Sequence, residues 1–131
     1  MEREVGMYVR FKTLSNEVKI GQIQLIDNNI YELDNNEVTA DKYIIKASHT
    51  LLGNDEEDGV IEVGDYVNGY KVSFKDNDYK PFVQCDYPVQ EGTTNHYRFY
   101  EEAICSIVTK EQFESMKYTI KEWCYVKNQG Y

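Results

Sequence analysis

The sequence predicts a mainly β protein, a small antiparallel barrel that is SH3-like or partly open, with a short C-terminal helix. Three observations predict it. Apolar and polar side chains alternate in several short runs, as they do in half-buried strands. Asn, Asp and Gly cluster between those runs, where tight turns need them. One late segment, "TKEQFESM", carries instead the signature of a helix start. A chain of 131 residues suits one domain that buries about two-thirds of its unfolded surface, so we expect residues 1–131 to form a single domain.

The N-terminal third predicts a three-stranded meander. Residues 7–12 ("MYVRFK") and 17–25 ("EVKIGQIQL") alternate in polarity, and "IYEL" at 30–33 follows between two Asp- and Asn-rich turns. Residues 40–53 suit either a helical turn or a buried strand, and we expect a strand followed by an irregular link. The charged stretch "GNDEEDG" at 53–59 predicts an exposed loop, since it lacks the ligand spacing of a calcium-binding loop.

The segment "IEVGDYVNGYKV", residues 61–72, predicts two tight backbone reversals. Residues 64–65 (Gly-Asp) suit a sharp turn, and 68–69 (Asn-Gly) is the dipeptide that best fits a type I′ hairpin, in which both central residues have positive φ. Val72 and Phe74 then continue the return strand. We interpret the segment as a corner of the scaffold rather than a functional site.

The following stretch predicts two strands joined by a loop. "PFVQC" at 81–85 is the first strand, residues 86–95 ("DYPVQEGTTN") are a loop, and the second strand runs over 96–108. If residues 86–95 form a hairpin connection, the two strands lie side by side.

The C-terminal region begins with a predicted helix. Thr109 and Gln112 have the spacing of a capping box, in which each side chain bonds the backbone of the other residue. Phe113 and Met116 are then expected to face the barrel. Residues 118–126 ("YTIKEWCYV") fit either a terminal strand or a second helix.

The charge balance disfavours direct nucleic-acid binding. Asp and Glu number 23 against 14 Lys and Arg, which gives a formal net charge of −9, whereas a nucleic-acid-binding protein normally has an excess of cations. An acidic surface can instead occupy a basic groove of another protein. No run approaches the ~18 apolar residues of a membrane span and no signal-peptide core is evident, so we expect no membrane association and a cytoplasmic location.

The residues that usually carry catalysis or bind metals do not form a pattern. Cys85, Cys105 and Cys124 are an odd set with no C-x-x-C pair, which fits buried apolar groups in a reducing compartment better than zinc ligands or disulfides. His49 and His96 are far apart in sequence. Neither a G-x-S-x-G elbow nor a glycine-rich phosphate loop is present. We therefore expect no enzymatic activity, no metal and no cofactor.

The strongest candidate for a binding site is "TTNHYRFY" at 93–100. It combines aromatic rings, which stack on nucleobases, with one of only three arginines, which can pair with a phosphate, and an asparagine amide. A purely structural interpretation is an ordinary strand with Tyr97 and Phe99 on one face and Arg98 and Tyr100 on the other. Two residues of the preceding strand would complete a pocket. The candidate ligand-binding residues are Lys80, Phe82, Thr94, Asn95, Tyr97 and Arg98.

The pair of segments "IEVGDYVNGYKV" and "IVTKEQFESMKY" resembles small accessory proteins of phages and prophages of Gram-positive bacteria. Among the characterised small phage proteins of this size, the chain most resembles the Thoeris anti-defence sponge family. That resemblance implies a non-catalytic oligomer in the infected cell that sequesters a cyclic ADP-ribose-type immune signal. It carries over Phe82, Asn95 and Arg98 by residue type, with Arg98 and Arg10 as the main candidates for phosphate contacts.

Two other functions remain open. The protein could be an acidic inhibitor of a host nuclease, an anti-CRISPR or anti-restriction mimic, which would depend on Glu56, Glu57 and Asp58. It could also be a structural or regulatory phage module without a ligand.

Overall fold

The chain folds into two antiparallel five-stranded sheets, one of them curled into a half-barrel, followed by a short helix. The computed structural model describes residues 2–90 and 93–115, without the side chains of residues 87–95. The predicted fold class, a small β barrel with one short C-terminal helix, is confirmed.

The first sheet contains the predicted meander and two further strands. Its strand order is β4-β3-β2-β1-β5. The connection from β3 to β4 includes Asn36 at φ 64° and the one from β2 to β3 includes Asn28 and Asn29 at φ 49° and 70°, so the Asp- and Asn-rich turns adopt the left-handed backbone expected of them. β4 was not predicted. The five strands are β1 (Tyr8–Lys12), β2 (Val18–Asp27), β3 (Ile30–Leu33), β4 (Val38–Ala40) and β5 (Ile44–Ser48).

The second sheet begins at the predicted corner and has the order β10-β6-β7-β8-β9. Asn68 and Gly69 both have positive φ, 52° and 88°, as a type I′ turn requires. The corner interpretation is therefore consistent with the backbone. The strands are β6 (Tyr66–Val67), β7 (Tyr70–Asp76), β8 (Phe82–Gln90), β9 (Thr93–Tyr100) and β10 (Ile107–Val108).

Two predictions for the second sheet are wrong. Residues 86–95 are mostly strand, because β8 extends to Gln90 and pairs with β9 from Thr93 onward. β7 pairs with β8 only as far as Asp86. Pro88 therefore lies at an edge of the sheet, where one side of β8 forms no backbone hydrogen bonds to another strand within the described residues. A strand tolerates proline at such an edge. The predicted strand 96–108 also ends early, at Tyr100, and residues 101–103 form a 3-10 turn.

A buried ion-pair network joins the two sheets. The guanidinium of Arg10 in β1 donates to both carboxylate oxygens of Asp65, at 2.7 and 3.1 Å, and to Glu111 at 2.8 Å. Arg10 and Asp65 are 1% and 0% exposed. Burial by itself lowers the pKa of Arg10, but the hydrogen bond with Asp65 and the charges of Asp65, Glu62 and Glu111 raise it above its ordinary value.

The same corner begins the helix. Thr109 and Gln112 form the predicted capping box, with N–H···O distances of 3.0 and 3.1 Å, and residues 110–115 are helical. Phe113 stacks on Tyr66 of β6 with ring centroids 4.0 Å apart. Met116 and the segment 118–126 lie outside the described residues.

Apolar side chains form two core clusters. One lies largely in the second sheet and the link before it, with Leu52, Ile61 and Val83 fully buried. The other lies in the first sheet around Phe11 and Ile23. No helix in the described part of the chain is long and apolar enough to span a membrane.

Candidate aromatic and cationic binding face

The candidate site lies on one face of the β7–β8–β9 ribbon. β8 and β9 pair directly, with Phe82 opposite Tyr100 and Gln84 opposite Arg98. Val83 and Cys85 on the alternate positions are fully buried, so Phe82, Arg98 and Tyr100 must point away from the core. We call this surface the outer face.

Three aromatic rings form a row across the outer face. Phe82 lies between Phe74, at 6.2 Å between centroids, and Tyr100, at 5.9 Å in an edge-on arrangement. These are ordinary distances for interacting aromatic rings. Phe74 remains 49% exposed, which leaves an apolar surface on which a planar group can stack.

Two cations lie over these rings. The guanidinium carbon of Arg98 is 4.6 Å from the centroid of Phe82, and Nζ of Lys80 is 4.2 Å from that of Tyr100. Both distances are within the range of a cation–π interaction. The N–H groups of a guanidinium that stacks on a ring lie in the guanidinium's own plane, where a phosphate can accept hydrogen bonds from them.

Acidic groups border the outer face and offset part of its charge. Lys80 is 3.6 Å from Glu102, with both side chains more than half exposed. His96 is 2.9 Å from Asp86. Unlike Lys80, Arg98 has no carboxylate partner among the described residues, so its guanidinium is available to pair with an anion.

The structure brings together three of the six predicted ligand-binding residues. Lys80, Phe82 and Arg98 share the outer face. The structure separates Tyr97 from them, because it lies opposite buried Cys85 and stacks on Tyr70 at 5.4 Å. The predicted face alternation of Tyr97 and Arg98 is thus confirmed. Thr94 and Asn95 belong to β9, but their side chains are outside the described set.

Phe74 belongs to the outer face and was missed by sequence reasoning. In a regular strand, Phe74 would share the buried face of Val72, two positions earlier. A register shift between Val72 and Phe74 adds one residue to β7 and turns Phe74 to the outside. No residue type in the segment signals that bulge.

Arg10, the other arginine expected to contact a phosphate, is not available to a ligand. Its buried position and its three carboxylate neighbours make it a structural residue. Removing such an arginine from its partners would leave buried charges uncompensated, so the expectation for Arg10 is corrected.

The acidic loop 53–59 is held in a defined conformation by hydrogen bonds and ion pairs. Gly53 and Asp58 form a β-bridge, and the side chain of Asn54 accepts from the N–H groups of Glu56 and Glu57. Asp58 binds Nζ of Lys46 at 2.7 Å and of Lys75 at 3.0 Å. The loop is therefore fixed in shape.

Glu57 and Asp58 are committed to contacts inside the protein. Glu57 accepts from the backbone N–H of His49 and lies 3.1 Å from its ring. The hydrogen bonds with Glu57 and Glu4, together with the charges of these carboxylates, raise the pKa of His49. The side chains of Asp55 and Glu56 form no ion pair in the described residues, and both residues are exposed.

The cysteines differ from one another. Cys85 is buried, as predicted, and burial raises its thiol pKa to about 11. Cys105 is exposed, which contradicts the prediction, because the chain leaves β9 before it and enters an irregular link. Cys124 lies outside the described residues. Among the described residues, no group of His, Cys, Asp and Glu has the geometry of a metal site.

Comparison of the chain with protein-family models, curated proteins and solved structures gives no match.

Proposed function

We propose that the protein is a non-catalytic binding protein whose outer face binds a nucleotide. The observation that carries this proposal is the position of Arg98 over Phe82, between the exposed ring of Phe74 and the cation–aromatic pair formed by Lys80 and Tyr100. A base can stack on the exposed ring or on the guanidinium, and a phosphate can pair with the arginine edge. In the phage setting that the sequence resemblance implies, the ligand is a cyclic ADP-ribose-type immune signal that the protein withholds from its receptor.

The contacts that the outer face offers to a nucleotide are stacking surface and cations, and the proposal assigns no catalytic role to the His96–Asp86 pair at its border. Because the rings form an open row, we propose that a second copy of the chain covers the bound nucleotide and completes the site.

Isothermal titration of the full chain with cyclic ADP-ribose tests this proposal. Arg98→Ala, which removes the phosphate partner, and Phe82→Ala, which removes the ring under the guanidinium, should each weaken binding by about 1–3 kcal/mol, or roughly five- to 150-fold. Lys42→Ala is the matched control, since Lys42 lies 5.1 Å over the ring of Tyr43 in another part of the protein. Native mass spectrometry of the complex, followed by heat release, should recover the intact cyclic nucleotide from an oligomer.

Three results would contradict the proposal. The wild-type protein could fail to bind, all three variants could bind equally well, or the released nucleotide could be cleaved. The last result would indicate an enzyme.

A second candidate function rests on the acidic loop. Its fixed backbone presents Asp55 and Glu56 to solvent, so it is preorganised to enter a basic groove of a nuclease. Charge reversal at Glu57 or Asp58 would also break contacts of the loop itself. The informative variant is the double substitution Asp55→Lys, Glu56→Lys, which should abolish nuclease inhibition without changing nucleotide binding if this function is correct.

A further inference from the structure

A second concave surface lies on the first sheet, far along the chain from the residues of the outer face. It is a pocket of about 610 Å³ between the β1–β2 turn and β4. That volume is within the range of small-molecule sites in proteins. We call it the β4 pocket. Its principal lining residues are Lys12, Leu14, Ile30, Val38, Thr39 and Tyr43.

Apolar side chains line the β4 pocket without covering one another. Leu14 is 90% exposed, Val38 57% and Ile30 48%. Grouped exposure of this kind on a soluble protein marks an interaction surface more often than scattered single residues do.

The turn that carries Leu14 is held in place by four hydrogen bonds. The N–H of Thr13 donates to Glu17 O at 2.7 Å, and the N–H of Asn16 donates to Thr13 O at 2.9 Å. The hydroxyl of Thr13 lies 3.0 Å from that of Ser15 and also accepts from the N–H of Glu17. The exposed position of Leu14 is therefore built into the backbone and is not the result of a loose loop.

The rim of the β4 pocket carries two lysines in different surroundings. Lys19 lies 2.8 Å from Glu37 and 3.8 Å from Glu17, whereas Lys12 forms no ion pair with any described residue. Lys12 is thus a rim cation without a carboxylate partner in the described part of the chain, on a protein whose net charge is −9.

We propose that the β4 pocket binds a small amphipathic carboxylic acid. Its apolar body packs against Leu14, Ile30 and Val38, and its carboxylate faces Lys12. The combination of exposed apolar side chains with one free cation favours such an acid over a neutral hydrophobic molecule, which would leave the lysine unused, and over a polar anion, which would leave the apolar lining in water.

Titration of the ¹⁵N-labelled full chain with sodium decanoate, below its micellar range, tests the proposal, with decanol as the uncharged analogue. Decanoate should shift the backbone signals of the β1–β2 turn and β4, and should bind more tightly than decanol. Lys12→Ala should weaken decanoate binding about threefold, as expected for an exposed charge pair, and leave decanol binding unchanged.

Val38→Gln should weaken the binding of both probes at least tenfold, because it removes apolar lining without adding a charge. Ile45→Gln is its matched control, because Ile45 is 53% exposed on β5 and is not part of the lining, so this variant should bind like the wild type. Equal binding by the two glutamine variants would overturn the proposal, as would equal affinity for decanoate and decanol. Sedimentation that shows a dimer dissociated by Val38→Gln would also overturn it, because the pocket would then be covered by a second copy.

Discussion

Replacing Asp65 with asparagine tests whether the buried network holds the two sheets together. The Asp65 carboxylate accepts two bonds from Arg10 and one each from the backbone N–H groups of Glu62 and Lys110, at 2.8 and 3.0 Å. Asparagine keeps the shape, but it removes the negative charge and turns one acceptor into a donor that faces other donors. The arginine is then left buried with less compensation.

The expected cost is large for a protein of this size. Removing one partner of a buried ion pair destabilises by about 3–5 kcal/mol, out of a total stability of about 5–15 kcal/mol. For a domain of this length that corresponds to a fall in Tm of about 10–20 °C. Urea unfolding followed by far-UV circular dichroism measures the free energy directly.

A matched control is available in the acidic loop. Asp58 also binds two cations, but its side chain is 61% exposed, so Asp58→Asn should cost less than about 1 kcal/mol. The network does not hold the sheets together if the free energy of unfolding of Asp65→Asn is within about 1 kcal/mol of that of the wild type. The same conclusion follows if it is no lower than the free energy of unfolding of Asp58→Asn.

Three further predictions concern acid stability, thiol reactivity and backbone packing. The hydrogen bond from Lys46, together with a second lysine, lowers the pKa of Asp58 in the folded protein from 3.8 to about 2. The ionised Asp58 therefore stabilises the fold fully above about pH 4, and this stabilisation is lost as the pH falls toward 2. Between these pH values, the free energy of unfolding of Asp58→Asn should fall less steeply than that of the wild type in an acid-unfolding experiment. Iodoacetamide at pH 8, with peptide mapping, should modify exposed Cys105 in the folded protein and buried Cys85 only after unfolding; equal rates would contradict the described burial. Gly59→Ala should lower the free energy of unfolding by about 3 kcal/mol, measured in urea, because the added Cβ would overlap backbone atoms of the facing segment; a cost below about 1 kcal/mol would refute this.

Features that depend on neighbouring residues were predicted well from the sequence. The meander strands, the type I′ turn at 68–69 and the capping box of Thr109 and Gln112 each require only a few adjacent side chains. Features that depend on pairing between distant segments were not predicted from the sequence. Nothing near Arg10 indicates that its partner is Asp65, 55 positions later, and nothing near Pro88 indicates that β8 continues through it as a two-stranded ribbon.

The outer face shows the same division. The alternation of Arg98 with Tyr97 along β9 was predicted, because strand periodicity alone decides which residues share a face. The membership of Phe74 was not, because it depends on a bulge that one residue of β7 introduces relative to β8. The sequence therefore predicts which residues of one strand share a face, but it does not predict which residues of the neighbouring strands lie beside them.

Residues 61–72 and 107–115 belong to one structural joint. β6 pairs with β10, and Asp65 accepts from the N–H of Lys110 at the helix start. Asn68 also accepts from the backbone N–H groups of Cys105 and Ser106, in the link just before β10. These bonds satisfy backbone donors that would otherwise lack a partner, so the corner is part of the scaffold. The function must therefore be tested on the outer face, at Arg98 and Phe82.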